Sequence, residues 1–310
     1  MVENLIIIGS GPAGYTAALY TAREDFKPLM ISGTTSGGQL MLTSMVDNYP
    51  GFPDGIMGPE LMVLFKKQAE RFGTRFVEDE VIDVDFTNRP FTVRTSSTEY
   101  KAHTVIISTG ASAKWLGLES EQRLMGKGVS SCATCDAPFF RNKDVVVVGG
   151  GDTAMEDSLF LTKFVKSVTL IHRRESFRAS KIMQEKVLSN SKIKVMYETG
   201  IEEVLGEQKV SGVKIKNLKS GDTSTISTDG LFVAIGHTPN TGFLKGKLEI
   251  DEHGYLVTKG EVKTDIDGVF VAGDVADRLY KQAVTAAGSG TKAALEVRAY
   301  LQKMNLDTLQ

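Results

Sequence analysis

Short, unbroken apolar runs recur along the chain, and glycine or a polar cluster stops each of them. Leu5–Ile8 runs into Gly9-Ser10-Gly11-Pro12-Ala13-Gly14 and then into a helical stretch through Tyr20. Asp144–Val148 runs into Gly149-Gly150-Gly151-Asp152-Thr153-Ala154 and a helical stretch toward Lys163. Runs this short, bounded by turn residues, read as buried strands. Strand, glycine turn and helix in that order are the context that gives a Gly-x-Gly-x-x-Gly/Ala match its meaning. The first glycine allows the tight turn, the second lets backbone approach a pyrophosphate, and the third lets helix and strand pack. The helix N-terminus then faces the phosphates. Closing strands also come in similar sets: Val105–Gly110, Leu231–Gly236 and Val269–Asp274.

Two matched units predict an α/β protein of two Rossmann-like, doubly wound nucleotide-binding domains. Val269–Asp274 and the helix after Gln282 resemble the first unit more than the second. The expectation is therefore one domain inserted into the other: 1–113 and 242–310 form the outer domain, 114–241 the inserted one. The crossings, near 112–116 and 240–244, could act as a hinge.

Composition narrows the class. The chain has 310 residues, about twice the ~150-residue prior for one domain, with 41% hydrophobic and 24% charged positions. Lys+Arg 36 against Asp+Glu 38 leaves a net charge of -2, so nothing points to nucleic acid or an anionic membrane. No apolar run approaches the ~18 residues of a spanning helix, and the N-terminus lacks the cationic flank of a signal peptide. A cytoplasmic protein is expected. Its two cysteines stand together as Cys132-Ala133-Thr134-Cys135. No second Cys pair or paired His completes a zinc site, and one pair is no disulfide framework, so a dithiol/disulfide redox couple is expected ahead of an inert buried thiol pair.

In the second unit Val168–Ile171 ends in His172-Arg173-Arg174, with Arg178 shortly after. An acid at this strand end would bond a free ribose 2′-hydroxyl; guanidinium forks instead match a 2′-phosphate, which favours NADPH over NADH. The first unit lacks the acid as well: Pro28–Ile31 is followed by Ser32-Gly33-Thr34-Thr35. Gly273-Asp274, ending a strand, offers a carboxylate to a ribityl hydroxyl. The helix starting near Gln282-Ala283 offers its N-terminal dipole to a reduced isoalloxazine, so a flavin dinucleotide is the expected ligand there.

These motifs together resemble the bacterial-type, low-molecular-weight thioredoxin reductases over essentially the whole chain. The match runs through Gly9–Gly14, Gly37–Leu40, Asn48-Tyr49-Pro50-Gly51, Cys132–Asp136, Gly149–Ala154, His172–Arg174 with Arg178, Ile235–Asn240, Gly273-Asp274 and Gln282-Ala283. The resemblance implies FAD on Gly9, Ser10, Gly11, Pro12, Ala13, Gly14, Gly38, Gln39, Leu40, Asn48, Val81, Thr109, Gly110, Gly273, Asp274, Gln282, Ala283 and Val284. It implies NADPH on Gly151, Asp152, Thr153, Ala154, His172, Arg173, Arg174, Arg178, Ile235 and Gly236. Cys135 would be the flavin-proximal sulfur, Cys132 the one that attacks the partner, and Asp136 the proton donor and acceptor. Thioredoxin would be the protein substrate and a homodimer the assembly, with the inserted domain turning to present nicotinamide and disulfide in alternation. The pattern departs near Thr35, where relatives often carry a glutamate toward the FAD ribose. No further N-terminal disulfide module is expected, because the flavin motif starts at residue 5, and the intact arginines argue against a non-catalytic redox sensor.

Overall fold

A computed structural model describes residues 2–306, which divide into two compact units. The first comprises 2–45, 49–112 and 238–306; the second comprises 113–237 together with 46–48. The chain thus leaves the first unit, builds most of the second, and returns.

The first unit is organised around β1 (Val2–Ile8), which lies parallel to β2 (Leu29–Ile31) on one side. Beyond β2 lies β3 (Arg75–Val77), also parallel. An antiparallel meander, β4 (Val81–Asp85), β5 (Phe91–Thr95) and β6 (Glu99–Ile107), completes the other half, with β6 parallel to β1. The strand Val269–Val271 joins β6 in parallel. The order reverses between β1 and β6, the switch point where doubly wound sheets bind ligands. Ile6, Ile8, Val105, Ile107 and Val269 interlock here with no more than 3% of any one exposed.

Helix α1 (Pro12–Arg23) follows β1, with Gly11 as N-cap and Pro12 supplying the preset φ of a first helical turn. Its Ala13, Ala17 and Ala18 are buried, as are Ala286, Ala287, Ala293 and Ala294 of the C-terminal helix Ala283–Lys303. These small residues let the two helices approach to backbone contact. A Cβ placed on Gly290 would stand 2.2 Å from the Ala13 carbonyl oxygen, so nothing larger than glycine fits there.

The second unit repeats the plan on a five-stranded parallel sheet. In chain order its strands are β7 (Val129–Ser130), β8 (Asp144–Gly149), β9 (Ser167–Ile171), β10 (Ile193–Met196) and β14 (Gly230–Ala234). The spatial order is β7-β14-β8-β9-β10, so the reversal falls between β14 and β8. A separate antiparallel sheet is formed by β11 (Thr199–Leu205), β12 (Gly212–Asn217) and β13 (Thr223–Ser227). Helix α2 (Asp152–Leu161) leaves the glycine turn and packs Ala154, Met155 and Leu161 against Val145, Val147 and Phe232. Among the described residues no helix is long and apolar enough to cross a membrane.

Candidate functional site

At the switch point of the first sheet lies a cavity of about 1040 Å³, just above the roughly 300–1,000 Å³ range of small-molecule sites. Its floor is the turn after β1. Gly9 has φ +105°, which a side chain disfavours, and a Cβ there would meet the Ser108 carbonyl oxygen at 2.4 Å. A Cβ on Gly14 would meet the Gly9 oxygen at 2.1 Å, whereas one on Gly11 would meet nothing within 4 Å. Gly9 and Gly14 therefore serve packing, and Gly11 leaves bare backbone open to a pyrophosphate. Ser10 is held inward: its hydroxyl donates to the Ser32 carbonyl at 2.9 Å and accepts from the Gly37 amide at 3.0 Å.

The cavity brings together Gly9, Ser10, Gly11, Pro12, Ala13, Gly38, Gln39, Leu40, Val81, Thr109, Gly110, Gly273, Asp274, Gln282 and Ala283 from five separate parts of the chain. Gly14, Asn48 and Val284 are not in its wall: Gly14 packs against the turn, Asn48 lies within the second unit, and Val284 sits exposed on the C-terminal helix. Thr109 is tied to Asn240, donating to its carbonyl at 2.9 Å and accepting at its own carbonyl from the Asn240 amide at 2.8 Å. Gln282 caps the C-terminal helix reciprocally with Thr285.

Asp274 carries the sharpest chemical signal in this cavity. Its Oδ1 is buried and has no hydrogen-bond partner among the described residues. Burial, with the negative charge of Asp277 adding, pushes its carboxyl up to about 6. A buried acceptor left without a donor costs roughly 1–3 kcal/mol, which a ligand hydroxyl would recover. The cavity wall therefore fits a flavin dinucleotide: open backbone at Gly11 and an orphaned acceptor at Asp274.

Two charged wall residues escape the sequence motifs. Glu80 is, with Asp274, one of the two carboxylates in the wall, and Lys281 is its one cationic side chain. Glu80 is exposed at the cavity wall, which carries threonines at 34 and 35. Lys281 donates to the Arg278 carbonyl, and burial lowers its ammonium despite the opposing pull of Asp277 and Asp274. The signal for Lys281 was its place directly before the helix N-cap; Glu80 had none.

In the second unit the turn after β8 obeys the same division of labour. A Cβ on Gly149 would meet the Ala234 oxygen at 2.4 Å, and one on Gly151 would meet nothing within 4 Å. Ile171, Gly149 and Ala234 end neighbouring parallel strands, so His172, Gly151 and Ile235-Gly236 emerge at one edge of the sheet. Arg173, Arg174 and Arg178 are exposed, with no ion-pair partner among the described residues. Three unpaired guanidiniums beside bare glycine backbone fit a phosphorylated adenosine ribose. Asp152 turns away from this role, its carboxylate accepting from the Ser180 amide and hydroxyl at 3.0 and 2.8 Å.

Cys132 and Cys135 form a disulfide with Cα atoms 5.3 Å apart, bracketing the start of the short helix Ala133–Asp136. The Cys132 amide donates to the Ser130 hydroxyl at 3.0 Å. The same hydroxyl meets the Asp136 carboxyl, whose pKa burial raises more than this hydrogen bond lowers it. A proton thus resides more readily on Asp136 than on an exposed aspartate.

Asp157, on α2, is pushed up to about 7 by burial and by the adjacent charge of Glu156. A carboxyl raised in the folded state stabilises the fold below its unfolded pKa and loses that contribution as pH rises through about 7. Asp157→Asn is expected to leave the melting temperature unchanged at pH 4 and raise it at pH 8, by the equivalent of about 2 kcal/mol. Thermal melts across that range check the sign.

A family model for the pyridine nucleotide-disulphide oxidoreductases matches residues 3–290, and the chain belongs to that family. A thioredoxin reductase of Streptomyces coelicolor is 51% identical over 307 residues, covering 98% of this chain and 95% of its own length. That of Rickettsia conorii is 50% identical over 308 residues, with 98% and 99% covered. Among solved structures, a thioredoxin reductase from Giardia duodenalis has a TM-score of 0.92 at 42% identity, covering 96% of this chain and 98% of that one. One from Streptococcus pyogenes has 0.94 at 39%, covering 97% and 99%. Within the family the chain groups with the low-molecular-weight thioredoxin reductases.

Proposed function

We propose that this chain reduces oxidised thioredoxin with electrons from NADPH, as a cytoplasmic homodimer whose first unit binds FAD and whose inserted unit binds NADPH. The observation that carries the reading is the Cys132–Cys135 disulfide beside a carboxyl raised by burial, in the same unit as the bare glycine turn and unpaired arginines. Gly11, Asp274 and the Gln282 cap support FAD in the first unit, with Glu80 toward its ribose. Arg173, Arg174 and Arg178 support NADPH in the second. Leu42, Met57, Val63 and Leu64 leave apolar side chains exposed in the first unit, which supports a self-associating face.

Bound FAD would supply the two-electron transfer between nicotinamide and disulfide. The remaining chemistry belongs to the chain. Once the pair is reduced, the Cys132 thiolate attacks the partner's disulfide and forms a mixed disulfide, releasing one partner thiolate. Cys135 then attacks Cys132, reforming the internal disulfide and releasing the second partner thiolate. Asp136, whose affinity for a proton burial raises, would donate to a departing thiolate and be reprotonated when the pair is next reduced.

The test is a thiol count. One equivalent of NADPH should expose two titratable thiols per chain, and oxidised thioredoxin should consume them. Absence of the thiols, or their equal appearance with NADH, contradicts the reading.

A further inference from the structure

His172 stands at the head of the basic cluster in sequence, yet its side chain is buried. It is 5% exposed, while Arg173, Arg174 and Arg178 are all open to solvent. Its backbone is fixed from both sides: the amide donates to the Met196 carbonyl at 2.9 Å and the carbonyl accepts from Thr199 at 3.0 Å. The ring is in contact with the glycine turn. A Cβ built on Gly150 would lie 2.2 Å from two ring atoms, so the middle glycine is required by the imidazole.

The same ring grips the arginine loop. Its Nε2 lies 3.0 Å from the Ser176 carbonyl. Its face packs on Phe177, centroids 5.2 Å apart, and Phe177 packs in turn on Tyr197 at 4.8 Å. The loop closes the circuit, because the Arg178 and Ala179 amides both donate to the Gly150 carbonyl, at 2.8 and 3.2 Å. Glycine turn, ring and arginine loop are therefore one locked assembly, two of whose parts carry the anion-binding groups.

We propose that His172 is a positioning residue for phosphate recognition: its ring presets Arg174 and Arg178 against the glycine turn, and so sets selectivity for a 2′-phosphorylated adenosine. The inference rests on the reading that the second unit binds NADPH. A preset guanidinium loses less freedom on binding than one on a free loop, and the benefit falls on the phosphate the arginines grip rather than on the adenosine itself.

The experiment is calorimetric binding of 2′,5′-ADP and of 5′-AMP to the full-length flavoprotein, with no turnover required. His172→Ala should weaken 2′,5′-ADP about tenfold, a loss of one hydrogen-bonded anchor, and change 5′-AMP less than about twofold. His172→Gln, which keeps a donor, should recover part of the loss. Phe177→Leu, which loosens the packing of the ring without touching the glycine turn, should reproduce part of the selective loss and covers the case in which His172→Ala does not fold. An equal loss for both ligands, or no loss for 2′,5′-ADP, overturns the inference and leaves the NADPH reading standing. Wild-type protein with no preference for 2′,5′-ADP overturns both.

Discussion

Cys135→Ser protein is expected to keep its flavin and its NADPH-driven flavin bleaching while losing at least about 10³-fold of its thioredoxin-reducing turnover. The size follows from the chemistry. Without Cys135 the internal disulfide cannot form, so neither electron entry to the pair nor resolution of the mixed disulfide has a route. Cys132→Ser should give an equally large loss by a different cause, since it removes the attacking thiolate. The two variants separate on mass analysis: Cys135→Ser should accumulate a mixed disulfide through Cys132, and Cys132→Ser should not. Asp136→Asn should fall between them and wild type, about 10²-fold down, because general acid catalysis contributes roughly 10²–10⁴.

The second large effect is expected at Asp274. Asp274→Ala removes the buried acceptor and should weaken FAD binding about 10- to 100-fold, the range of one hydrogen bond to a charged group. Flavin content of the purified protein measures this directly. Asp274→Asn distinguishes cofactor binding from simple structural damage. Without flavin, the raised carboxyl costs stability as pH rises through about 6, so the amide should melt higher than wild-type apoprotein at pH 8. With flavin the order should reverse. If both proteins retain equal flavin, Asp274 has no part in holding it.

Much of this site was legible along the chain because its parts are local. Gly9–Gly14 and Gly149–Ala154 each combine a strand end, a turn and a helix start within a few residues, and the structure keeps that division at Gly11 and Gly151. The cysteine pair was legible by its isolation. The return of the chain to the first unit was legible because Val269–Val271 is an apolar run like Val105–Ile107, beside which it pairs. What was not legible depends on long-range folding or on ring direction. Glu80 reaches the cavity because it precedes the first strand of an antiparallel meander, a feature no local motif marks. The strands β11–β13 passed unread because segments such as Thr223–Ser227 are almost wholly polar and exposed. His172 read as one of four basic residues in a run. Only the packing of its ring beneath Gly150 separates it from the arginines, and that depends on which way one side chain leaves a strand end.

The central claim is that NADPH is spent on thioredoxin through Cys132 and Cys135. The most direct measurement is steady-state loss of NADPH absorbance with oxidised thioredoxin as the sole acceptor, in wild-type protein and in Cys135→Ser. The account predicts saturable, thioredoxin-dependent oxidation that strongly prefers NADPH to NADH and vanishes in the variant. Flavin that bleaches with NADPH yet passes nothing to thioredoxin, or turnover that survives in Cys135→Ser, would contradict it.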